Sequence, residues 1–280
     1  MHVIGLNVFP LKSARGIALT ESPIDAMGLS GDRRWMLTDP TGYFITQREM
    51  PALARLLVNP TDTGLSVSMG DEGLTVAFPA PDRRQQVVVW KSSVDAALAD
   101  EAVNATLSQW LEREVRLVFF DAQARRTASA EWAGDGSPVA FNDGYQVLVT
   151  TTGSLAALNA DMAAHGEAPV GMDRFRANIV LDHDEAFAED GWASIAIGDV
   201  VLDLVKPCAR CIMTTQDQET GSREGASPMP AMGRIRMSAD RRVPGPLFGW
   251  NAVPSGKGLL RIGDAAQVVG QREAWAIKRR

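Results

Sequence analysis

Short β-favouring runs separated by turn residues recur through residues 1–90, and this spacing constrains the fold more than any other feature of the sequence. Runs at 34–38 and 43–46 flank Asp-Pro-Thr-Gly at 39–42, in which proline presets φ and glycine supplies a positive φ. Runs at 65–69 and 74–78 flank Gly-Asp-Glu-Gly, and QQVVVW follows. Short strands with turns at regular spacing predict an antiparallel barrel or sandwich.

The spacing of apolar residues along the sequence changes after residue 93. Over 94–113, apolar residues recur near one helical face, which predicts an amphipathic helix with Ser93 or Asp95 as its N-cap. A second helix is expected after the run YQVLVTTT and ends at Gly166. Glycine, proline and small polar residues predict loops at 121–138 and 222–246. Further strands are predicted at 2–9, 115–120, 175–182, 193–207 and 259–270. The chain is therefore expected to be mainly β with some α, in two β-rich domains that meet near residues 113–122.

Length, composition and charge are those of an ordinary globular protein. The chain has 280 residues, of which 45% are hydrophobic and 22% are charged, and it is long enough to bury a sizeable core. Its net charge of −6 lacks the basic field that general binding to nucleic acid or to an anionic membrane needs. We read no secretory leader in MHVIGLNVFPLKSARG, and no apolar run nears the ~20 residues of a membrane span. We therefore expect a cytoplasmic protein.

Both cysteines of the chain lie in one stretch, KPCARCIMTTQD, as Cys208 and Cys211. A redox dithiol is one interpretation, although the β-favouring residues after Cys211 make a poor start for the helix that such a dithiol needs. A structural zinc site needs four nitrogen or sulfur ligands, and none of the three histidines has finger-like spacing. Two small buried cysteines are the simplest interpretation. A soft metal held inside a bulky anionic cofactor is the fourth, because thiolates bind such metals.

An anionic cofactor needs basic side chains and amides, and the sequence places several at predicted strand ends. Each of them alone has an ordinary explanation as a solvated charge, an ion-pair partner or a turn residue. Their joint occurrence favours a shared binding site. The candidates are Lys12 and Ser13 in KSARG, Arg33 in GDRRW, Arg48 in TQREMP, and Arg176 and Asn178 in FRANI.

These stretches and the cysteine motif, in this order, resemble the MOSC family, the molybdenum cofactor sulfurase C-terminal domain proteins. The resemblance is closest to the branch with an N-terminal β-barrel domain, which includes the mitochondrial amidoxime reducing component and its bacterial relatives. It runs from about residue 3 to residue 270, and its most specific part is PCxRCxxTTxDxxTG. The resembling segments are FPLKSARG, GLSGDRRWMLTDPTGYFITQREMP, FRANIVLD, WASIAIGD, KPCARCIMTTQDQETG, PLFGWN and IGD.

The resemblance implies a β-barrel-like N-terminal domain at 1–118, a MOSC β-barrel domain at 119–280, and a molybdopterin-type cofactor held between them. It implies that one cysteine of the motif binds molybdenum, and we expect this to be Cys211, with Cys208 as the second choice. Arg210 and the strand-end candidates would hold the pterin and its phosphate. Thr214, Thr215 and Asp217 would form the loop beside the metal.

The activity that the resemblance implies is reduction of N-hydroxylated compounds such as hydroxylamines, amidoximes and N-hydroxy bases. An iron–sulfur cluster, which some relatives carry, needs about four cysteines, so we expect none in this chain. Electrons would then come from a separate protein of the ferredoxin, flavodoxin or cytochrome type with a reductase. Two other functions stay open: a carrier of molybdenum cofactor or sulfur without redox turnover, and a thiol redox protein that uses both cysteines.

Overall fold

A computed structural model describes residues 1–278, and within this range the chain is mainly β, as the sequence predicts. The strands are β1 Val3–Val8, β2 Ile17–Leu19, β3 Glu21–Asp25, β4 Gly28–Leu29, β5 Trp35–Thr38, β6 Leu57–Thr61, β7 Gly64–Met69, β8 Glu72–Ala77, β9 Arg84–Val89, β10 Ser92–Leu98, β11 Arg116–Phe119, β12 Val147–Thr151, β13 Ile179–Leu181, β14 Trp192–Ile197, β15 Val200–Ala209, β16 Leu247–Ser255, β17 Gly258–Arg261 and β18 Ala266–Gln271. The α-helices are α1 Glu101–Trp110, α2 Ala130–Ala133, α3 Thr152–Ala164 and α4 Met229–Ile235. Short 3₁₀ helices lie at Pro51–Arg55, Met172–Phe175, Ala188–Gly191 and Ile212–Thr215.

The largest sheet has eight strands in the order β18-β14-β15-β16-β12-β13-β1-β2. Neighbouring strands in it are antiparallel except β12 and β13, which run parallel and are connected through α3. A helix is the usual crossover for a parallel pair, because a tight turn cannot join two strands that run in the same direction. A four-stranded sheet has the order β5-β11-β10-β9, and three-stranded sheets are formed by β6-β7-β8 and by β17-β3-β4.

The first strands of the chain pair with strands from its second half. β1 lies beside β13, with Leu6 opposite Ile179, and β3 lies beside β17, with Ser22 opposite Leu260. This pairing brings the loop after β1 against the second half of the chain. The division into 1–118 and 119–280 stays a prediction, and strand pairing crosses that boundary.

Two apolar clusters show where the core sits. The large sheet buries one cluster that includes Leu6 and Trp250. A second cluster, which includes Leu37 and Leu107, packs α1 against the strands of the first half. Each fully buried side chain of this kind contributes about 1.5–3 kcal/mol, so the inner faces of the sheets supply most of the stabilisation.

The helix predicted over 94–113 is shorter than expected, because its first part is a strand. Residues 92–98 form β10, which pairs with β9 on one side and β11 on the other. Exposed and buried residues alternate over 93–96, and Val94 is buried. The helix α1 begins at Glu101 with Asp100 as N-cap, so the predicted N-cap at Ser93 or Asp95 is wrong. Alanine fits both a helix face and a strand between two neighbours, and composition alone did not separate them.

The segments predicted as loops at 222–246 and 121–138 each contain a helix, α4 and α2 respectively. Pro230 lies in the first turn of α4, where a missing N–H costs nothing because the first N–H groups of a helix have no partner within it. Within residues 1–278, no helix combines the length and the apolar character that crossing a bilayer requires.

The predicted turn at 39–42 is confirmed. The N–H of Gly42 donates to the carbonyl of Asp39 over 3.0 Å, and Gly42 has a φ of 91°. The Asp39 carboxylate also accepts the N–H of Thr41 and of Tyr43, each over 2.9 Å. This turn leads the chain back past β5 and into the segment that carries Arg48.

Candidate active site

A cavity of about 390 Å³ lies where segments from both halves of the chain meet. This volume is in the range of small-molecule and cofactor sites. The structure brings most of the sequence-predicted site residues to its wall, namely Lys12, Ser13, Arg33, Arg48, Arg176, Asn178, Cys208, Arg210 and Cys211.

The end of β15 gives the two cysteines different surroundings. Cys208 lies within the strand and packs against the buried cluster of Leu148, Ala177 and Val180. Cys211 follows the strand and is the N-cap of the 3₁₀ helix at Ile212–Thr215. The two thiols therefore have different surroundings. Cys208 belongs to a packed sheet, whereas Cys211 lies at the start of a turn beside the cavity.

Each cysteine sulfur accepts a hydrogen bond from an arginine. Nη2 of Arg48 donates to Sγ of Cys211 over 3.3 Å, and Nη1 of Arg210 donates to Sγ of Cys208 over 2.9 Å. The Arg48 guanidinium also lies over the indole of Trp90, with Cζ 4.9 Å from the ring centroid. Hydrogen bonds to a ligand atom fix its orientation, so Arg48 is placed to orient the Cys211 sulfur.

A buried network fixes the guanidinium of Arg33. Its Nη1 donates to the Asp32 carboxylate over 2.5 Å and to Oδ1 of Asn178 over 3.0 Å. Asn178 is 1% exposed, and its side chain also accepts the N–H of Leu148 and donates to the carbonyl of Asn7. An ion pair was one ordinary explanation for a basic candidate residue in the sequence. The structure contains such a pair between Arg33 and Asp32. Asn178 therefore acts on the cavity by positioning Arg33.

Lys12 and Asp143 form an ion pair at the wall. Nζ of Lys12 contacts the Asp143 carboxylate at 2.5 Å and donates to the carbonyl of Phe141 over 2.8 Å. Burial lowers the pKa of Lys12, and Asp143 opposes that effect. Asp143 is surrounded by protein but faces the open volume of the cavity, which leaves its side chain 75% exposed. Burial acts to raise the pKa of Asp143, but the Lys12 ammonium outweighs it and holds that pKa well below its usual range.

Arg176 carries a positive charge that the described residues do not neutralise. Its Nη1 donates to the amide oxygen Oε1 of Gln218 over 2.9 Å, and it has no carboxylate within salt-bridge distance in the part of the chain that the structure describes. Burial, and next the charge of Arg33, lower the pKa of Arg176 to about 9. Both guanidinium groups lie over the ring of Phe9, each with Cζ 4.2 Å from the centroid. Two like charges held this close favour an anionic ligand.

Parts of the backbone along the cavity wall have a positive φ, which residues other than glycine seldom adopt. Six non-glycine residues within 1–278 have a positive φ, and four of these line the cavity. They are Ser13 at 66°, Arg33 at 47°, Trp90 at 55° and Arg176 at 52°. Such residues cost on the order of 1–3 kcal/mol each and cluster at binding sites.

The charge of the wall fits a bulky anionic cofactor. Among the described residues, seven lysine and arginine side chains line the cavity against one carboxylate, in a chain of net charge −6. Nε of Arg210 is buried and, within residues 1–278, has no hydrogen-bond partner, so the wall keeps an unpaired donor. Cys211 adds a soft sulfur ligand. The residues present therefore fit a phosphate-bearing cofactor whose metal binds a thiolate.

Thr214, Thr215 and Asp217 are not brought to the cavity wall. Oγ1 of Thr214 donates to the carbonyl of Cys211 over 3.0 Å, and Oγ1 of Thr215 donates to the carbonyl of Ile212 over 2.8 Å. The Asp217 carboxylate accepts two backbone N–H groups from residues 219–220. These side chains hold the turn that follows Cys211, and their contact with a cofactor stays a prediction.

Several wall residues were not predicted, namely Trp90, Asn142, Asp143, Tyr145 and Lys206. Lys206 had a sequence signal, because it belongs to the same stretch, KPCARC, as the two cysteines. Asn142 and Asp143 had none. Asp143 reaches Lys12 only through the pairing of β1 with the second half of the chain.

Known proteins resemble the chain along most of its length. The model of the MOSC N-terminal beta barrel domain matches residues 1–114, and that of the MOSC domain matches residues 136–267. Human mitochondrial amidoxime-reducing component 1 is 30% identical over 284 residues, which cover 96% of this chain and 83% of that protein. The protein of the same name from Danio rerio is 30% identical over 275 residues, which cover 94% of this chain and 83% of the relative.

A second human protein is similar to this chain to the same extent as these two relatives. Human mitochondrial amidoxime reducing component 2 is 30% identical over 289 residues, which cover 94% of this chain and 82% of that protein. The ranges of the two family models together include every residue that lines the cavity. The chain belongs to the family of MOSC proteins with an N-terminal MOSC β-barrel domain, which includes the mitochondrial amidoxime-reducing components.

Proposed function

We propose that this chain is a molybdenum-cofactor-dependent reductase of N-hydroxylated compounds, with hydroxylamines, amidoximes and N-hydroxy bases as its substrate class. The observation that carries the proposal is the position of Cys211 on a wall whose cations outnumber its carboxylates. The relatives at 30% identity are named amidoxime-reducing components, which supports N-reductive chemistry.

Reduction of an amidoxime to an amidine breaks the N–O bond, consumes two electrons and two protons, and releases the oxygen as water. A bound molybdenum cofactor supplies the two-electron chemistry at its metal. We propose that the electrons come from a separate donor of the ferredoxin, flavodoxin or cytochrome type with a reductase. The two cysteines of the chain are fewer than the four that an iron–sulfur cluster uses.

The side chains of the wall divide into three roles in this proposal. Lys12, Arg33 and Arg176 hold the phosphate and pterin through charge-assisted hydrogen bonds, each worth about 1.5–3 kcal/mol. Cys211 holds the metal, and Arg48 orients the Cys211 sulfur. A cytoplasmic location, expected from the sequence, stays part of the proposal.

The test compares the chain purified from a host that makes molybdenum cofactor with the same chain from a host that cannot. Benzamidoxime is the substrate, reduced methyl viologen is the electron donor, and benzamidine is quantified by chromatography. We expect benzamidine only from the cofactor-bearing preparation. Bound cofactor without any benzamidine would favour the carrier function instead, and equal turnover by both preparations would contradict the proposal.

A further inference from the structure

A second pair of cations lines the cavity beyond those assigned to the cofactor. Lys206 and Arg242 both stand over the indole of Trp132, with Nζ of Lys206 5.0 Å and Cζ of Arg242 5.2 Å from the ring centroid. Lys206 and Arg242 also line the cavity. We call Lys206, Arg242 and Trp132 the outer subsite.

The charge of Lys206 is not balanced within the outer subsite. Arg242 is paired with Asp240 at 2.6 Å, whereas Lys206 has no salt-bridge partner among residues 1–278. Burial raises the pKa of Tyr145, another wall residue, to about 12, so its hydroxyl adds no negative charge at neutral pH. A lysine that lies over an aromatic face and lacks a carboxylate partner is placed to bind an anionic group.

The outer subsite lies within reach of Cys211. The end of β15 is irregular in register, and Lys206, Cys208 and Cys211 all line the same cavity. Lys206 lies five positions before Cys211, a distance of at most about 18 Å along an extended chain. A substrate whose N–OH group lies beside Cys211 can therefore extend its other end to Lys206.

The aromatic component of the outer subsite lies behind the cavity wall and contacts its two cations. Trp132 is half-buried, and its ring lies 6.1 Å from that of Trp275. Arg242 stands over both rings, with Cζ 5.8 Å from the Trp275 centroid. The indoles therefore hold the two cations at the wall, and the cations attract negative charge.

We propose that the outer subsite binds the anionic group, a carboxylate or a phosphate, of an N-hydroxylated substrate. The inference rests on the proposed function, because it names the substrate class of the same cavity. The enzyme then prefers anionic N-hydroxy compounds to neutral ones of the same size.

The kinetic test uses benzamidoxime, 4-carboxybenzamidoxime and 4-phosphonobenzamidoxime with the wild-type, Lys206→Met and Arg241→Met holoenzymes. Arg241 is the matched control, because it is an exposed neighbour of Arg242 and lies outside the cavity wall. Wild type should use at least one anionic compound with a kcat/KM about tenfold above that of benzamidoxime. Lys206→Met should lose this preference through KM and keep its benzamidoxime turnover, whereas Arg241→Met should keep the preference.

The two anionic compounds separate carboxylate recognition from phosphate recognition. Equal kcat/KM values for the neutral and both anionic compounds in wild type would overturn the proposal. An equal loss of kcat/KM on all three compounds in Lys206→Met would also overturn the proposal, because that pattern indicates a role of Lys206 in cofactor binding or folding.

A binding measurement separates failure of this inference from failure of the proposed function. The O-methyl ethers of the three amidoximes keep their shape but have no free N–OH group, and calorimetry measures their affinity without turnover. Tighter binding of an anionic ether, lost in Lys206→Met, supports the outer subsite even if the protein reduces no amidoxime. Equal binding of all three ethers overturns it even if the protein is a reductase.

Discussion

Nη2 of Arg48 donates a hydrogen bond to Sγ of Cys211 over 3.3 Å, between residues that are 163 positions apart. Arg48 lies just before the 3₁₀ helix Pro51–Arg55, and Cys211 lies just after β15. The contact joins the first half of the chain to the sulfur that we propose as the metal ligand. Cofactor binding should therefore depend on residues from both halves.

The first prediction concerns Arg48. Arg48→Met removes the donor that orients the Cys211 sulfur and one positive charge of the wall, so we expect the molybdenum and pterin content to fall by about tenfold. Elemental analysis and pterin fluorescence of the purified protein measure this. Arg55→Met is the matched control, because Arg55 is exposed and lies outside the wall. Equal cofactor content in the two variants would contradict the role given to Arg48.

The second prediction concerns Arg176 and the pH dependence of stability. Its folded-state pKa is lowered to about 9, below the ordinary value of 12.5, so the unfolded chain binds this proton more tightly than the folded chain. Below pH 9 the charged group therefore lowers the stability of the cofactor-free protein, and this cost fades as pH rises above 9. We expect Arg176→Gln to raise the Tm of the cofactor-free protein at pH 7 by about 2–4 °C, while it lowers cofactor content.

Calorimetry at pH 7 and pH 10 measures the Tm, with Arg174→Gln as the control, because Arg174 lies in the 3₁₀ helix that Arg176 caps but is outside the wall. The gain in Tm should be smaller at pH 10. A lower Tm for Arg176→Gln than for the control at pH 7 would show that Arg176 stabilises the cofactor-free fold, against the prediction.

The third prediction concerns the pair of Lys12 and Asp143. The pKa of Asp143 is depressed in the folded state, so its contribution to stability is present above pH 4 and is lost as the pH falls below the ordinary value of an aspartate. Asp143→Asn leaves the Lys12 ammonium with the Phe141 carbonyl but without a counter-charge. We expect the free energy of unfolding to fall by about 1–3 kcal/mol at pH 7, because the carboxylate is open to solvent on one side.

Urea unfolding at pH 7 and pH 3 measures the difference in the free energy of unfolding between Asp143→Asn and wild type. This difference should be smaller at pH 3. Asp135→Asn, at an exposed position outside the wall, is the control and should change stability by less than about 0.5 kcal/mol. If the free energies of unfolding of Asp143→Asn and wild type differ by the same amount at both pH values, the ion pair is excluded as the cause of the difference.

The fourth prediction separates two neighbouring threonines. Both donate to the carbonyl three residues earlier, but Thr214 is buried and reaches Cys211, whereas Thr215 is half-buried and reaches Ile212. Thr214→Val should cost about 1–2 kcal/mol and lower cofactor content, since it loosens the turn that holds Cys211. Thr215→Val should leave both quantities close to wild type. Urea unfolding and molybdenum analysis check them, and equal effects would reject a special role for Thr214.

Most of the residues that the sequence singled out line one cavity, whereas a helix boundary was misplaced. Arg33, Arg176 and Cys211 follow or precede strands, and strand ends meet at the wall of the cavity. The helix α1 was misplaced because alanine at 96 and 97 suits a strand packed between β9 and β11 as well as a helix. Only the pairing of distant strands settles such a choice, and a local pattern does not contain it.

Asp143 and Lys206 show what local patterns omit. Asp143 has no motif of its own, and it becomes part of the site because β1 joins the large sheet beside β13 and brings Lys12 to it. Lys206 lies next to the cysteine motif, but its place over Trp132 depends on α2, which falls in a segment predicted as a loop. Long-range packing decides both positions.

The central claim is that Cys211, and not Cys208, holds the metal. The most direct test is the molybdenum and pterin content of Cys211→Ser and Cys208→Ser against wild type, all from a cofactor-making host, with benzamidoxime reduction measured on the same samples. We expect Cys211→Ser to lose molybdenum and activity, and Cys208→Ser to keep most of both with a modest loss of stability. Equal loss in the two variants, or full molybdenum content in Cys211→Ser, would contradict the claim.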